Sequence, residues 1–140
     1  MPSVLHIFRA PKKRLPMEEL PEVFVVSDFG VAGCAHARAR SKRQVLLVDR
    51  ETLEAMELSP GILRENITTD GLNVNSLAPG QILKIGQTKL EVSMVCTPCD
   101  QLEKVRPRPR RELWGRRGML CKVVEGGTIR RGDAIVKLAG

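Results

Sequence analysis

The stretch QILKIGQTKLEVSMV, residues 81–95, decides how this chain is read. An aliphatic run, QILKI, meets Gly86-Gln87, and a second run, TKLEVSMV, follows at once. Two strand-like runs separated by two residues that include a glycine predict a hairpin. In the second run Leu90, Val92 and Met94 alternate with Lys89, Glu91 and Ser93, the period-2 pattern of a strand with one buried face. Cys96 continues the inward series. Pro98 cannot donate to a central ladder and should end the strand. Cys99 is therefore expected at a strand end, near the opening of whatever the sheet encloses.

Outward from the hairpin, the same style of short strand and turn recurs. LPEVFVVSDFGVAG reads as a strand entering a Gly-rich turn, and the basic run CAHARARSKRQ leads into the aliphatic strand QVLLV. Asp49 is placed to cap a short helix over Arg50–Leu58, with Glu51 in its first turn and Pro60-Gly61 stopping it. ILRENITTDGLNVN mixes β-branched residues with Asn, Asp and Gly, a strand-and-loop composition. MLCKVVEGGTIRRGDAIVKL gives a strand, a turn at Gly126-Gly127, a second turn at Arg-Arg-Gly-Asp and a final strand. Many short strands with one convincing short helix predict a mainly β barrel or sandwich.

A chain of 140 residues is expected to form one domain over 1–140, and neither an internal repeat nor a domain boundary is visible. With three Phe, one Trp and no Tyr, the core must be built from Val, Leu, Ile and Met. The 23 Lys and Arg against 16 Asp and Glu leave a formal charge of +7, which favours anionic partners. So few aromatic platforms make a nucleic-acid ligand unlikely, and a small phosphorylated ligand fits at least as well. No stretch approaches the ~20 apolar residues of a membrane span. The N-terminal segment places its apolar patch before its basic run, the reverse of a secretory signal. A cytoplasmic location is expected, with Cys34, Cys96, Cys99 and Cys121 unbridged.

The C-x-x-C of Cys96 and Cys99 admits three readings on its own. With Cys34 and His36 it could form a zinc site, though Cys-x-His is an unusual spacing for one. A redox dithiol would open a helix in a βαβ frame, which the β-rich surroundings do not offer. Two inert buried cysteines suit Cys96 better than Cys99, which Pro98 and Asp100 flank. Cys121, in a strand, reads as core.

The ordered set GCAHARARSKRQVLLV, GILRENITTDGL, PGQILKIGQTKLEV, TPCDQL and GRRGMLCKVVEGGTIRRGDAIVKL resembles the MOSC domain family, named after the C-terminal domain of molybdenum cofactor sulfurases. Each motif alone is weak; five in register, across residues 30 to 138, are specific. The resemblance implies a mainly β, barrel-like fold with one or two short helices, in a small stand-alone bacterial-type member. It implies binding of the molybdenum cofactor (molybdopterin), with no pyridoxal phosphate site in this chain itself. It makes Cys99 the functional thiol, as a sulfur carrier and persulfide or as a ligand to molybdenum, with Thr97 beside it as a cofactor-binding residue. Either role needs a thiolate, which nearby arginines favour.

The resemblance extends to Arg64, suited to a phosphate, and Asn66, suited to the edge of a pterin ring. It extends also to Arg43, Gln44 and His36. Each has a plain structural alternative: a surface arginine, a turn-stabilising asparagine, a solvated strand entry, a structural histidine. Where many relatives carry Gly-Asp, this chain has Gly33-Cys34, and the role of Cys34 stays open. The six arginines of RPRPRRELWGRR, residues 106–117, read either as a lid over an anion or as a solvated loop. Expected partners are the pterin cofactor, a cysteine desulfurase as sulfur donor and a molybdoenzyme as acceptor. The rival reading is a basic β-barrel module that binds RNA or a protein, with structural cysteines.

Overall fold

A computed structural model describes residues 2–12, 15–96 and 118–138. In chain order the strands are β1 (Ser3–Arg9), β2 (Glu18–Leu20), β3 (Glu22–Val26), β4 (Gly30–Val31), β5 (Val45–Asp49), β6 (Ile67–Asp70), β7 (Ile82–Ile85), β8 (Thr88–Val95), β9 (Met119–Glu125), β10 (Gly127–Arg130) and β11 (Ile135–Leu138). Helix α1 (Arg50–Ala55) follows β5, and a 3-10 turn, Val74–Ser76, follows β6. Eight strands form one sheet in the order β11-β7-β8-β9-β5-β6-β1-β2, and β10-β3-β4 form a second. The fold is mainly β and barrel-like, though its two sheets do not close into one ring.

The predicted hairpin is β7–β8, with Leu83 opposite Leu90 and Ile85 opposite Thr88. Gly86 takes φ +57 at the first loop position, a conformation that favours glycine. Leu83, Ile85, Leu90 and Val92 enter the main core with Ile7, Leu47, Ile67 and Cys121 from the large sheet and Val25 and Ile129 from the small one. That core is aliphatic, as the composition requires, and Cys121 lies in it fully buried.

The inward series of β8 does not run unbroken to Cys96. Val92 pairs with Cys121 but Met94 pairs with Leu120, so Ser93 is an extra residue, a bulge. Its Oγ lies against the carbonyl of Lys42 and 2.9 Å from that of Leu120. Past the bulge the strand presents its even-numbered residues to the opposite face. Met94 and Cys96 therefore join the second cluster, with Leu46, Val48, Leu53, Met56, Leu63 and Leu120.

Strand β5 is central, antiparallel to β9 and parallel to β6, and all five of its residues are buried. Helix α1 is shorter than the pattern predicts. Asp49 caps it through the Thr52 amide, but Glu57 turns to φ +56 and Leu58 N–H closes on the Leu53 carbonyl. Six residues would not hold a helix alone. Burying Leu53, worth about 1.5–3 kcal/mol, anchors this one on the second cluster. Gly126 carries the chain from β9 to the other sheet, where a Cβ would stand 2.6 Å from the Val25 carbonyl. Among the described residues no helix is long and apolar enough to cross a membrane.

Candidate functional site

Where the basic turn region enters β5, a cavity of about 400 Å³ opens on the face shared with the second cluster. His36, Arg38, Ser41, Arg43, Arg64 and Cys96 line it, together with Gln44, Asn66 and apolar groups of Ala35, Ala37, Val45, Leu46 and Leu120. No carboxylate is among these lining residues, and no ion pair among the described residues engages Arg38, Arg43 or Arg64. The described lining is thus cationic and uncompensated.

Arg64 is held by a turn that the sequence builds at Gly61–Glu65. Gly61 takes φ +87 beneath the ring of Phe8, where a Cβ would come within 2.9 Å of that ring. The buried Glu65 accepts from Gly61 N–H at 3.0 Å and from Thr68 Oγ1 at 2.9 Å. Arg64 itself sits at φ +62, a conformation that costs a residue with a Cβ about 1–3 kcal/mol and recurs at functional sites. One guanidinium nitrogen donates to the Leu15 carbonyl at 2.6 Å, and the other stands 3.5 Å from His36 Nε2. An arginine can only donate, so a hydrogen bond in that contact has Nε2 as its acceptor.

Asn66 is fully buried and every polar atom of its side chain is engaged. Oδ1 accepts from Leu46 N–H at 3.0 Å, while Nδ2 faces the Phe8 carbonyl at 3.3 Å and Cys34 Sγ at 3.5 Å. Gln44 is engaged likewise: Oε1 accepts from Val123 N–H, and Nε2 donates to Asp28 and the Arg38 carbonyl. Both amides tie segments together around the cavity. Arg43, by contrast, extends exposed from the rim.

Cys34, whose role the sequence leaves open, stands directly behind two of the lining residues, His36 and Asn66. Burial works against its thiolate, but hydrogen bonds from the His36 side chain, the backbone amides of Ala10 and His36, and Asn66 outweigh it and bring the pKa down to about 7. Ala10 N–H lies 3.4 Å from the sulfur. Cys121 shows the opposite case, with burial alone pushing its thiol up to about 12. Arg38 and Ser41 line the cavity, and motif reading misses them. The basic run containing them is visible in the sequence, but which of its side chains turn inward is not.

Cys99 and Thr97 lie outside the described residues, as does the arginine run at 106–117. Cys34, Cys96 and Cys121 are unbridged. Among the described residues no three His, Cys, Asp or Glu side chains stand together so as to hold a metal. Of the four ligands in the zinc reading, Cys34, His36, Cys96 and Cys99, the three that are described form no such cluster.

A family model described as the MOSC domain matches residues 35–136. The YUAD protein from Bacillus subtilis has a similar solved structure, with TM-score 0.80 at 21% identity over 96% of this chain and 94% of that one. YiiM from Geobacillus stearothermophilus superimposes with TM-score 0.82 at 18% identity, over 99% of this chain and 76% of its own. YiiM from Escherichia coli does so with TM-score 0.70 at 18% identity, over 96% and 70%. At these identities the likeness is one of fold. No curated protein matches the chain by sequence.

Proposed function

The chain belongs to the MOSC domain family, associated with the C-terminal region of molybdenum cofactor sulfurases, and from that premise we propose that it binds the molybdenum cofactor and carries sulfur through Cys99. The observation that supports this is the cationic cavity at the head of β5, with three guanidinium groups, an imidazole and no carboxylate in its described lining. Such a lining suits a phosphate-bearing ligand, because guanidinium pairs bidentately with phosphate oxygens. Arg64 and Arg43 would take the phosphate, and His36 would hold the Arg64 fork in place. Asn66 and Gln44 act one step back, fixing the strands that carry these groups. The bound group would supply a soft transition-metal centre able to accept sulfur.

Loading of the carrier is a thiol–persulfide exchange. The Cys99 thiolate attacks the outer sulfur of a donor persulfide R–S–SH, the S–S bond of the donor breaks, and the donor leaves as R–S⁻. A cysteine desulfurase is the kind of donor this requires, and a cytoplasmic molybdoenzyme the kind of acceptor.

The test is intact-protein mass spectrometry with elemental analysis on wild type, Cys99→Ser and Arg64→Ala, each purified from cells that make the cofactor. Molybdenum or pterin retained by wild type and reduced in Arg64→Ala supports the cavity as the binding site. A sulfur adduct lost only in Cys99→Ser supports the carrier role. Bare protein in all three, with RNA binding that weakens steeply as salt rises, would overturn the reading in favour of a nucleic-acid module.

A further inference from the structure

The basic loop that lines the cavity also carries charges that the cavity does not use. Residues 38–43 hold four cations in six positions, Arg38, Arg40, Lys42 and Arg43, all of them exposed. Arg38, Ser41 and Arg43 line the cavity, whereas Arg40 and Lys42 do not. No ion pair among the described residues engages Arg40 or Lys42. A carboxylate is close at hand, since Arg40 N–H donates to the Asp28 carbonyl at 3.3 Å. The Asp28 side chain nevertheless accepts from Gln44 Nε2, at 3.2 Å, and leaves the Arg40 guanidinium uncompensated.

The loop is braced along its length. Arg38 N–H donates to the Phe29 carbonyl at 3.0 Å, and the Arg38 carbonyl accepts from Gln44 Nε2. Arg43 N–H bonds Ser41 Oγ at 3.0 Å, and Ser93 in its bulge reaches the Lys42 carbonyl. Arg40 takes φ +61, uncommon for a residue with a Cβ. Charges presented from a braced backbone leave less ordering to be done on association.

The turn that braces the loop joins it to exposed apolar groups. Ser27 Oγ donates to the Val124 carbonyl at 3.0 Å, and Asp28 N–H to that of Val123 at 2.8 Å. Val124 is 43% exposed, Val26 37% and Phe24 54%. Phe24 and Val26 alternate on β3 with Val23 and Val25, which enter the core, so both leave the small sheet on its outer face.

We propose that Arg40 and Lys42, with Phe24, Val26 and Val124, form a docking surface for a protein partner whose contacting face is acidic around an apolar centre. Unpaired cations beside exposed apolar groups match the anatomy of a protein interface, where aromatic residues and arginine are enriched. A single-stranded nucleic acid calls for successive aromatic platforms. This surface offers one, Phe24, and its other apolar members are aliphatic. Because the same loop lines the cavity, a partner seated here would stand at the cavity mouth. The surface does not depend on which ligand the cavity takes.

The experiment is a fluorescence-anisotropy titration of the full chain at low salt with two labelled probes, a short peptide of alternating glutamate and leucine and a short oligouridylate. Saturable peptide binding is expected, weakened about tenfold or more in Arg40→Glu/Lys42→Glu. Phe24→Ala leaves the charge untouched and should weaken binding roughly fivefold or more. Arg131→Glu/Lys137→Glu makes the same change of net charge at exposed cations outside the surface and should cost less than about twofold. Equal losses in the two reversed variants would mean that the peptide senses net charge alone, and would overturn the surface. Undiminished binding in Phe24→Ala, or no saturable binding at all, would overturn it too. So would an oligouridylate that binds more tightly than the peptide and is lost in Arg40→Glu/Lys42→Glu, which would assign the loop to nucleic acid.

Discussion

The Arg64 guanidinium stands 3.5 Å from His36 Nε2 while the backbone of residue 64 is held at φ +62. A strained residue is thus also one of the three that present a cation to the cavity. Strain and charge can be separated by Arg64→Gly, since glycine adopts that φ at no steric cost. Relief of strain opposes the lost bond to Leu15, so stability is expected to stay within about 1 kcal/mol of wild type. Affinity for a phosphate-bearing pterin is expected to fall roughly 10–150-fold, the worth of one charged hydrogen bond. Urea unfolding and a ligand titration read the two effects. Unchanged affinity would remove Arg64 from the site.

The thiols divide by environment. Cys34, at about 7, is expected to react with iodoacetamide with a pH midpoint near neutrality, whereas Cys121, pushed to about 12, stays inert in the folded protein. Mass mapping of the alkylated sites from pH 5.5 to 9 checks this. The same shift sets a sign for stability. The Cys34 thiol is lowered from 9.0, so between pH 7 and 9 the unfolded chain binds more protons than the folded one. Its contribution is therefore complete above pH 9 and is lost as pH falls through 7. Cys34→Ser should flatten the rise of stability across that window.

Much of the fold is legible in the amino-acid sequence alone. The period-2 alternation up to Val92 and the Gly86-Gln87 break are local signals, and β7–β8 pairs as they predict, from Ile82 opposite Glu91 to Ile85 opposite Thr88. The cap at Asp49 is legible for the same reason. What stays hidden depends on pairing. The Ser93 bulge arises because β9 offers one residue where β8 offers two, and nothing within β8 announces it. The contact between Cys34 and Asn66 spans 32 positions and forms only once distant strands have come together. His36, Arg43, Gln44, Arg64 and Asn66 line one cavity, but sequence does not separate the groups with free donors from the two amides already engaged.

Asn66 gives that distinction a measurable form. Removing its side chain leaves the buried Leu46 N–H and Phe8 carbonyl without their partners. Each orphaned group costs about 1–3 kcal/mol, so Asn66→Ala is expected to lower stability by roughly 2–4 kcal/mol, read from a urea midpoint. It also withdraws one donor from Cys34, so the alkylation midpoint of that thiol should move upward. A residue that only touched ligand would change neither. Full native stability in Asn66→Ala would contradict the bracing role.

Arg38 and Arg43 test the electrostatics of the rim apart from the geometry of the floor. Both are exposed and engage no ion pair among the described residues, so their side chains have little folding work to lose. Arg38→Ala and Arg43→Ala should each leave Tm within about 2 °C, consistent with surface changes of under ~0.5 kcal/mol. Their effect belongs in association. Rim charges steer an anionic ligand mainly by raising the on-rate, and that gain is screened over a Debye length of about 8–10 Å at ordinary salt. Stopped-flow binding of a phosphate-bearing pterin should therefore show a slower on-rate in each variant, a shallower salt dependence, and an off-rate close to wild type. The double variant should be slower again, while Arg64→Gly should act chiefly on the off-rate, because Arg64 is placed at the cavity wall and not on its rim. An on-rate indifferent to both rim arginines at low salt would mean that the ligand does not enter past them, and would move its entrance to another side of the cavity.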